Sequence, residues 1–200
     1  MNLPNLLTLG RLGITLLLVM CLSVSFLGKY LVALVLFIVA TVTDYYDGAL
    51  ARRRGLVTDF GKLMDPLADK ILIASAFICL IPAIPAWVVI LIIAREFLIT
   101  GLRLLASSQN VIMPAERLGK HKTGWQMATV ISYLLFYGIM QIWYGLGLER
   151  FWIFSGEEVE RYFFQALDWI SFGILTVTVV LTLYSGVAYF WKNRSLIRTK

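Results

Sequence analysis

Four aspartates stand at helical intervals in one stretch of this chain: Asp44 and Asp47 three residues apart, then Asp65 and Asp69 four apart. Residues at these spacings share a helix face, so each pair is expected to project from one side of its own helix. Long apolar runs flank both pairs. Carboxylates near hydrocarbon repel one another and are desolvated at several kcal/mol each unless cations sit among them, and acids within membrane segments are functional by default. Hard divalent cations are the natural counter-charge. Magnesium prefers oxygen ligands and shares them with substrate phosphates. Two such ions about 3.5 to 4 Å apart neutralise a diphosphate and steady an in-line displacement. The surrounding residues suit the same chemistry: Gly48, Ala51 and Gly61 lack bulk where a ligand or second helix must come close, and Arg52 offers a planar donor fork to phosphate. Snorkelling and pairing with Arg52, Arg53, Arg54, Lys62 and Lys70 would explain one or two of the acids, but not four in two helical registers.

The elements that must hold these groups are set by composition. Of 200 residues, 60% are hydrophobic and 15% charged, and the mean hydropathy is +0.81. Soluble domains are nearer half and a quarter, so water is not the main solvent here. The formal charge of +6 comes from basic residues scattered between apolar runs. That pattern reads as juxtamembrane anchoring on an anionic leaflet and not as a nucleic-acid surface. Cys21 and Cys79 lie inside apolar runs with no ligand spacing and are expected to be small buried or lipid-facing groups. The first apolar run lacks a basic segment before it and a small-residue cleavage site after it, so it is expected to be a retained span.

A bilayer core of about 30 Å takes roughly 20 residues of helix. Such runs lie near Leu12 to Leu27, Tyr30 to Thr43, Trp125 to Tyr144 and Trp169 to Trp191, the second continuing helically through Asp44. Ile71 to Ala94 is 24 residues without a charge. As one span it would put Asp69 and Arg95 about 39 Å apart, on opposite faces of the membrane. Two spans meeting at Pro82-Ala83-Ile84-Pro85 return Asp65, Asp69, Arg103, Lys120 and Lys122 to one side. The expected architecture is therefore a single all-α integral membrane domain over residues 1–200, with six transmembrane helices. A short interfacial helix over Asn2 to Leu7, anchored by Arg11, precedes them. Basic residues gather after spans two and four and in the tail, whereas the opposite side carries Lys29 and an acid-rich loop around Glu157, Glu158 and Glu160. Both termini are thus expected in the cytoplasm.

The spacing Asp44, two residues, Asp47-Gly48, two residues, Ala51-Arg52, eight residues, Gly61, three residues, Asp65, three residues, Asp69 resembles the full signature of the CDP-alcohol phosphatidyltransferase family. Eight fixed residues at fixed gaps make a specific pattern. The resemblance implies that Asp44, Asp47, Asp65 and Asp69 ligate two metal ions, Mg2+ with Mn2+ as a substitute, and that Asp69 is also general base toward the incoming alcohol. It implies a homodimer of six-span protomers in the cell membrane, with the site facing the cytoplasm.

Three further segments are similar to the bacterial branch of that family whose acceptor is glycerol 3-phosphate. These are the opening Asn2-Leu3-Pro4-Asn5-Leu6-Leu7-Thr8 with Arg11, Arg95-Glu96-Phe97-Leu98-Ile99-Thr100-Gly101-Leu102-Arg103, and Gly119-Lys120-His121-Lys122-Thr123. The resemblance covers most of residues 2–125. It implies transfer of a phosphatidyl group from CDP-diacylglycerol to glycerol 3-phosphate with release of CMP, and a CDP-lipid site including Asn5, Thr8, Arg11, Gly48, Ala51, Arg52 and Gly61. Glu96, Thr100 and Arg103 share one face of span four, with Arg95 bordering it. An arginine within the membrane is costly unless it meets an anion. Arg95, Thr100, Arg103, Lys120 and Lys122 are therefore candidates to hold the acceptor phosphate, with Glu96 orienting Arg95. The lysines also read as ordinary positive-inside anchors. Two rivals stand beside this reading: the same chemistry with phosphatidylglycerol or an inositol compound as acceptor, and a small cation transporter conducting metal past its acids.

Overall fold

A computed structural model describes residues 3–54, 59–108, 117–148 and 157–192, with side chains at 8–43, 64, 67–103, 106, 122–148 and 158–192. Among the described residues the chain is six helices and no strand: α1 (Leu3–Ser23), α2 (Lys29–Arg54), α3 (Asp59–Cys79), α4 (Ala86–Ser108), α5 (Arg117–Gly145) and α6 (Glu157–Lys192). The expected interfacial helix over Asn2 to Leu7 is not a separate element, because residues 3–7 open α1 without a break. Pro4 falls in the first turn, where its missing N–H has no intrahelical partner to lose, so nothing there interrupts the helix. A second difference lies before the last span. The acid-rich stretch expected as loop is helical from Glu157, which makes α6 36 residues and about 54 Å long.

The uncharged run 71–94 is broken as its prolines predict. α3 ends at Cys79 and α4 begins at Ala86, and the N–H groups of Val88 and Val89 donate to the Pro85 carbonyl at 2.9 and 3.3 Å. Pro82 and Pro85 cannot donate to a continuing helix, so the chain reverses here and α4 runs back along α3. The other expected continuity also holds, for α2 passes unbroken through residues 44–54.

Around these turns, α1 packs along both α2 and α3, α5 along α2 and α6, and α4 along α3 and α6, while α3 also meets α5. Leu18, Phe37, Phe77, Ile84, Ile92, Val130 and Leu134 fill the shared interior. Gln141 of α5 ties down the α1–α2 turn. It accepts from the N–H of Gly28 at 3.1 Å and donates to the Phe26 carbonyl at 2.7 Å. Gly28 is the residue that can take this turn, at φ 86°. α5 and α6 are joined by polar contacts inside an apolar interface, Thr129 to Thr178 at 2.7 Å and Trp143 Nε1 donating to Glu160 at 3.0 Å. Hydrogen bonds of this kind hold helices together where lipid offers no hydrophobic drive.

Among the described residues two stretches, Lys122–Gly145 and Glu158–Lys192, are long and apolar enough to cross a membrane. The outer face of α6 shows Trp169, Ile170, Phe172, Val180, Tyr184, Val187 and Trp191 more than half exposed. A contiguous apolar face of this extent calls for lipid or a partner against it.

Candidate active site

Asp69 stands on α3 one residue before Lys70, and the two side chains border a cavity of about 190 Å³ between α3, α4 and α5. Ile73, Ala74, Ile92, Ile93 and Phe97 supply its apolar walls, and Glu96, Thr123 and Gln126 its remaining polar groups. The helix spacing explains which residues arrive. Lys70, Ile73 and Ala74 share one stripe of α3, Ile92, Ile93, Glu96 and Phe97 one stripe of α4, and Thr123 and Gln126 one of α5.

Charge is gathered tightly around this space. Arg11 of α1, only 2% exposed, donates from Nη1 to Asp69 Oδ1 at 2.8 Å, while the Asp69 side chain keeps 38% of its surface open. The expectation that Arg11 anchors the chain to the membrane surface is thereby corrected. A guanidinium taken out of water seeks a carboxylate, and α1 packs closely enough on α3 to provide one. Lys70 donates to Thr100 Oγ1, and Thr100 in turn donates to the Glu96 carbonyl at 2.8 Å. The Glu96 carboxylate takes Lys122 on one oxygen and, on that same oxygen, Nη1 of Arg95 at 3.2 Å. From α6, Ser185 accepts from Arg95 Nη2 at 2.9 Å. Arg103, more exposed, lies over the Tyr189 ring at 5.6 Å and donates from Nε to its hydroxyl at 3.3 Å.

Of the acceptor-side candidates, Arg95, Thr100 and Lys122 thus converge on Glu96, while Arg103 faces α6. The Lys120 side chain lies outside the described residues. So do those of Asp44, Asp47, Asp65, Asn5, Gly48, Ala51, Arg52 and Gly61, although each of these residues is on a described helix. Thr8 is buried, one turn before Arg11. Sequence reasoning passed over Gln126, Ser185 and Tyr189, and named Thr123 only within a matching segment, without a role. The available signal was the amide of Gln126, a polar side chain at the start of the apolar span from Trp125 to Tyr144.

Among the described side chains, four cations, Arg11, Lys70, Arg95 and Lys122, are set against two carboxylates, Asp69 and Glu96. The surplus of positive charge at a small cavity suits an anionic ligand, and a low-dielectric wall strengthens that attraction. Among the described residues no three metal-ligating side chains meet. The one signature carboxylate whose side chain is described, Asp69, is partly open and offers hard oxygen donors, so its chemistry fits a divalent ion.

A helical bundle with apolar outer faces and a carboxylate–cation cavity between its helices has the form of a membrane protein with a site for an anionic ligand. Residues 1–154 match the family model of CDP-alcohol phosphatidyltransferase, and the chain belongs to that family, whose members are generally divalent-cation dependent. It is similar to the CDP-diacylglycerol–glycerol-3-phosphate 3-phosphatidyltransferase of Bacillus subtilis (strain 168), with 35% identity over an alignment covering 99% of this chain and 98% of that one. The protein of the same name from Rickettsia felis is 35% identical, covering 94% of this chain and 93% of its own. The one from Mycoplasma pneumoniae is 32% identical over 74% and 66%.

Proposed function

We propose that this protein transfers the phosphatidyl group of CDP-diacylglycerol to the primary hydroxyl of glycerol 3-phosphate, forming phosphatidylglycerophosphate and CMP. One observation carries the choice of acceptor: a single small cavity presents Asp69 together with Lys70 and with Glu96, which holds Lys122 and Arg95. An uncharged acceptor such as inositol would not need those cations.

In this reading Asp69 accepts the proton of the attacking hydroxyl. The hydroxyl oxygen bonds to the phosphorus that carries the diacylglycerol, the bridging P–O bond breaks, and CMP leaves with the bond's electron pair. Lys70, Lys122 and Arg95, with Arg103 and Lys120, hold the acceptor phosphate, and Glu96 and Thr100 fix their direction. Arg11 sets the position of the Asp69 carboxylate. Arg52, Gly48, Ala51 and Gly61, with Asn5 and Thr8, serve the CDP-lipid. Asp44, Asp47, Asp65 and Asp69 are the residues that would hold two Mg2+ ions, or Mn2+ in their place. When bound, such ions neutralise diphosphate charge and stabilise the leaving nucleotide.

All six helices cross the membrane in this reading, with both termini in the cytoplasm, the site open to that side, and two protomers joined in the cell membrane. The exposed apolar surface and the distribution of basic residues support it.

The test is CMP release by purified protein given CDP-diacylglycerol and, separately, glycerol 3-phosphate, phosphatidylglycerol, inositol or an inositol phosphate. Turnover is expected with glycerol 3-phosphate, abolished by a chelator and restored by Mg2+ or Mn2+. A preference for any other alcohol would overturn the acceptor assignment, and metal flux without turnover would favour transport.

A further inference from the structure

Gln126 is 2% exposed and lies on the α5 wall of the Asp69 cavity, yet among the described residues its amide nitrogen Nε2 has no hydrogen-bond partner. A buried donor left unmatched costs about 1 to 3 kcal/mol. Within an apolar span such a group is retained where something enters to meet it.

The cavity says what kind of molecule that is. Its volume of about 190 Å³ is below the range of drug-sized pockets and suits a small polyol phosphate. The charged groups already divide such a ligand between them, the cations near Glu96 taking the phosphate and Asp69 the attacking hydroxyl. What glycerol 3-phosphate has left is its secondary hydroxyl, a neutral acceptor, and what the wall has left is a neutral donor. Ile73, Ala74, Ile92 and Ile93 keep the surroundings apolar, and low dielectric strengthens a lone neutral hydrogen bond.

We propose that Gln126 determines acceptor specificity: its buried amide, on the α5 wall of the Asp69 cavity, donates to the secondary hydroxyl of the polyol phosphate. The inference rests on the acceptor reading above. A site built to meet a hydroxyl rejects the analogue that lacks it, because its own polar group is then left unpaired.

The experiment compares glycerol 3-phosphate with 3-hydroxypropyl phosphate, which keeps the primary hydroxyl and the phosphate but has no secondary hydroxyl. Wild-type enzyme is expected to favour glycerol 3-phosphate in kcat/KM by about tenfold to a hundredfold. Gln126→Met, of similar length without the donor, and Gln126→Leu should bring the ratio to within about twofold while leaving the KM for CDP-diacylglycerol in place. A ratio unchanged in both variants, as expected if the amide merely holds a water, overturns the proposal. So does wild-type enzyme that does not discriminate, or loss of turnover with both acceptors in both variants while CDP-lipid is still bound. No wild-type turnover with glycerol 3-phosphate, with activity on another alcohol, would overturn the acceptor reading and this inference together.

Discussion

Glu96 is where the cation cluster is most exposed to a single change. Its carboxylate holds Lys122, whose side chain is 3% exposed, and Arg95, at 14%. Glu96→Gln keeps the shape and one oxygen but removes the charge, leaving the buried Lys122 and the partly buried Arg95 beside a neutral amide. Breaking a buried pair by removing one partner costs about 3 to 5 kcal/mol. Because Glu96 itself remains 21% exposed, the lower end applies, about 3 kcal/mol, a fall in Tm of about 6 to 12 °C for a chain of this size. Lys122→Met removes one cation and leaves Glu96 with Arg95, a loss of about 1 to 2 kcal/mol. In the double variant only Arg95 lacks its carboxylate, so the combined loss should fall short of the sum by at least about 1 kcal/mol. The assay is thermal unfolding of purified protein in detergent, followed by tryptophan fluorescence and by retention of the folded species on size exclusion. The KM for glycerol 3-phosphate, measured alongside, should rise about tenfold in Glu96→Gln. A Tm within 2 °C of wild type, or additivity within about 0.5 kcal/mol, would refute the electrostatic account.

Asp69→Asn should lower CMP release by about a hundredfold to ten-thousandfold while CDP-lipid binding persists; substantial remaining turnover would remove Asp69 from the role of base. Arg103→Ala should raise the KM for glycerol 3-phosphate more than that for CDP-diacylglycerol, and equal effects on the two would make its contact with Tyr189 purely structural. Gln141→Leu strips the α1–α2 turn of both its side-chain hydrogen bonds. It should cost about 1 to 3 kcal/mol without altering either KM, read by the same unfolding assay.

Much of the helical plan could be read from residue types. Prolines 82 and 85 stop a helix whatever surrounds them, because one ring removes a donor and constrains the residue before it. The helical run through Asp44 and Asp47 was legible because nothing in residues 29–54 interrupts it. The opening helix and the start of α6 were misplaced for a common reason. Hydropathy marks where lipid begins, whereas a helix continues past that boundary until its backbone meets a breaker.

The sequence by itself determined that this chain belongs in a membrane, that its aspartates form two helical pairs, and that Glu96, Thr100 and Arg103 share a face, because periodicity along one helix is local geometry. Only the tertiary structure decided that Arg11 meets Asp69 across 58 residues, that Glu96 joins Lys122 to Arg95, and that Gln126 turns into the same cavity. Helix periodicity says which residues stand together on a face but not which faces meet. In lipid, where apolar sides are nearly interchangeable, that choice falls to close packing and to the few polar groups that must find one another.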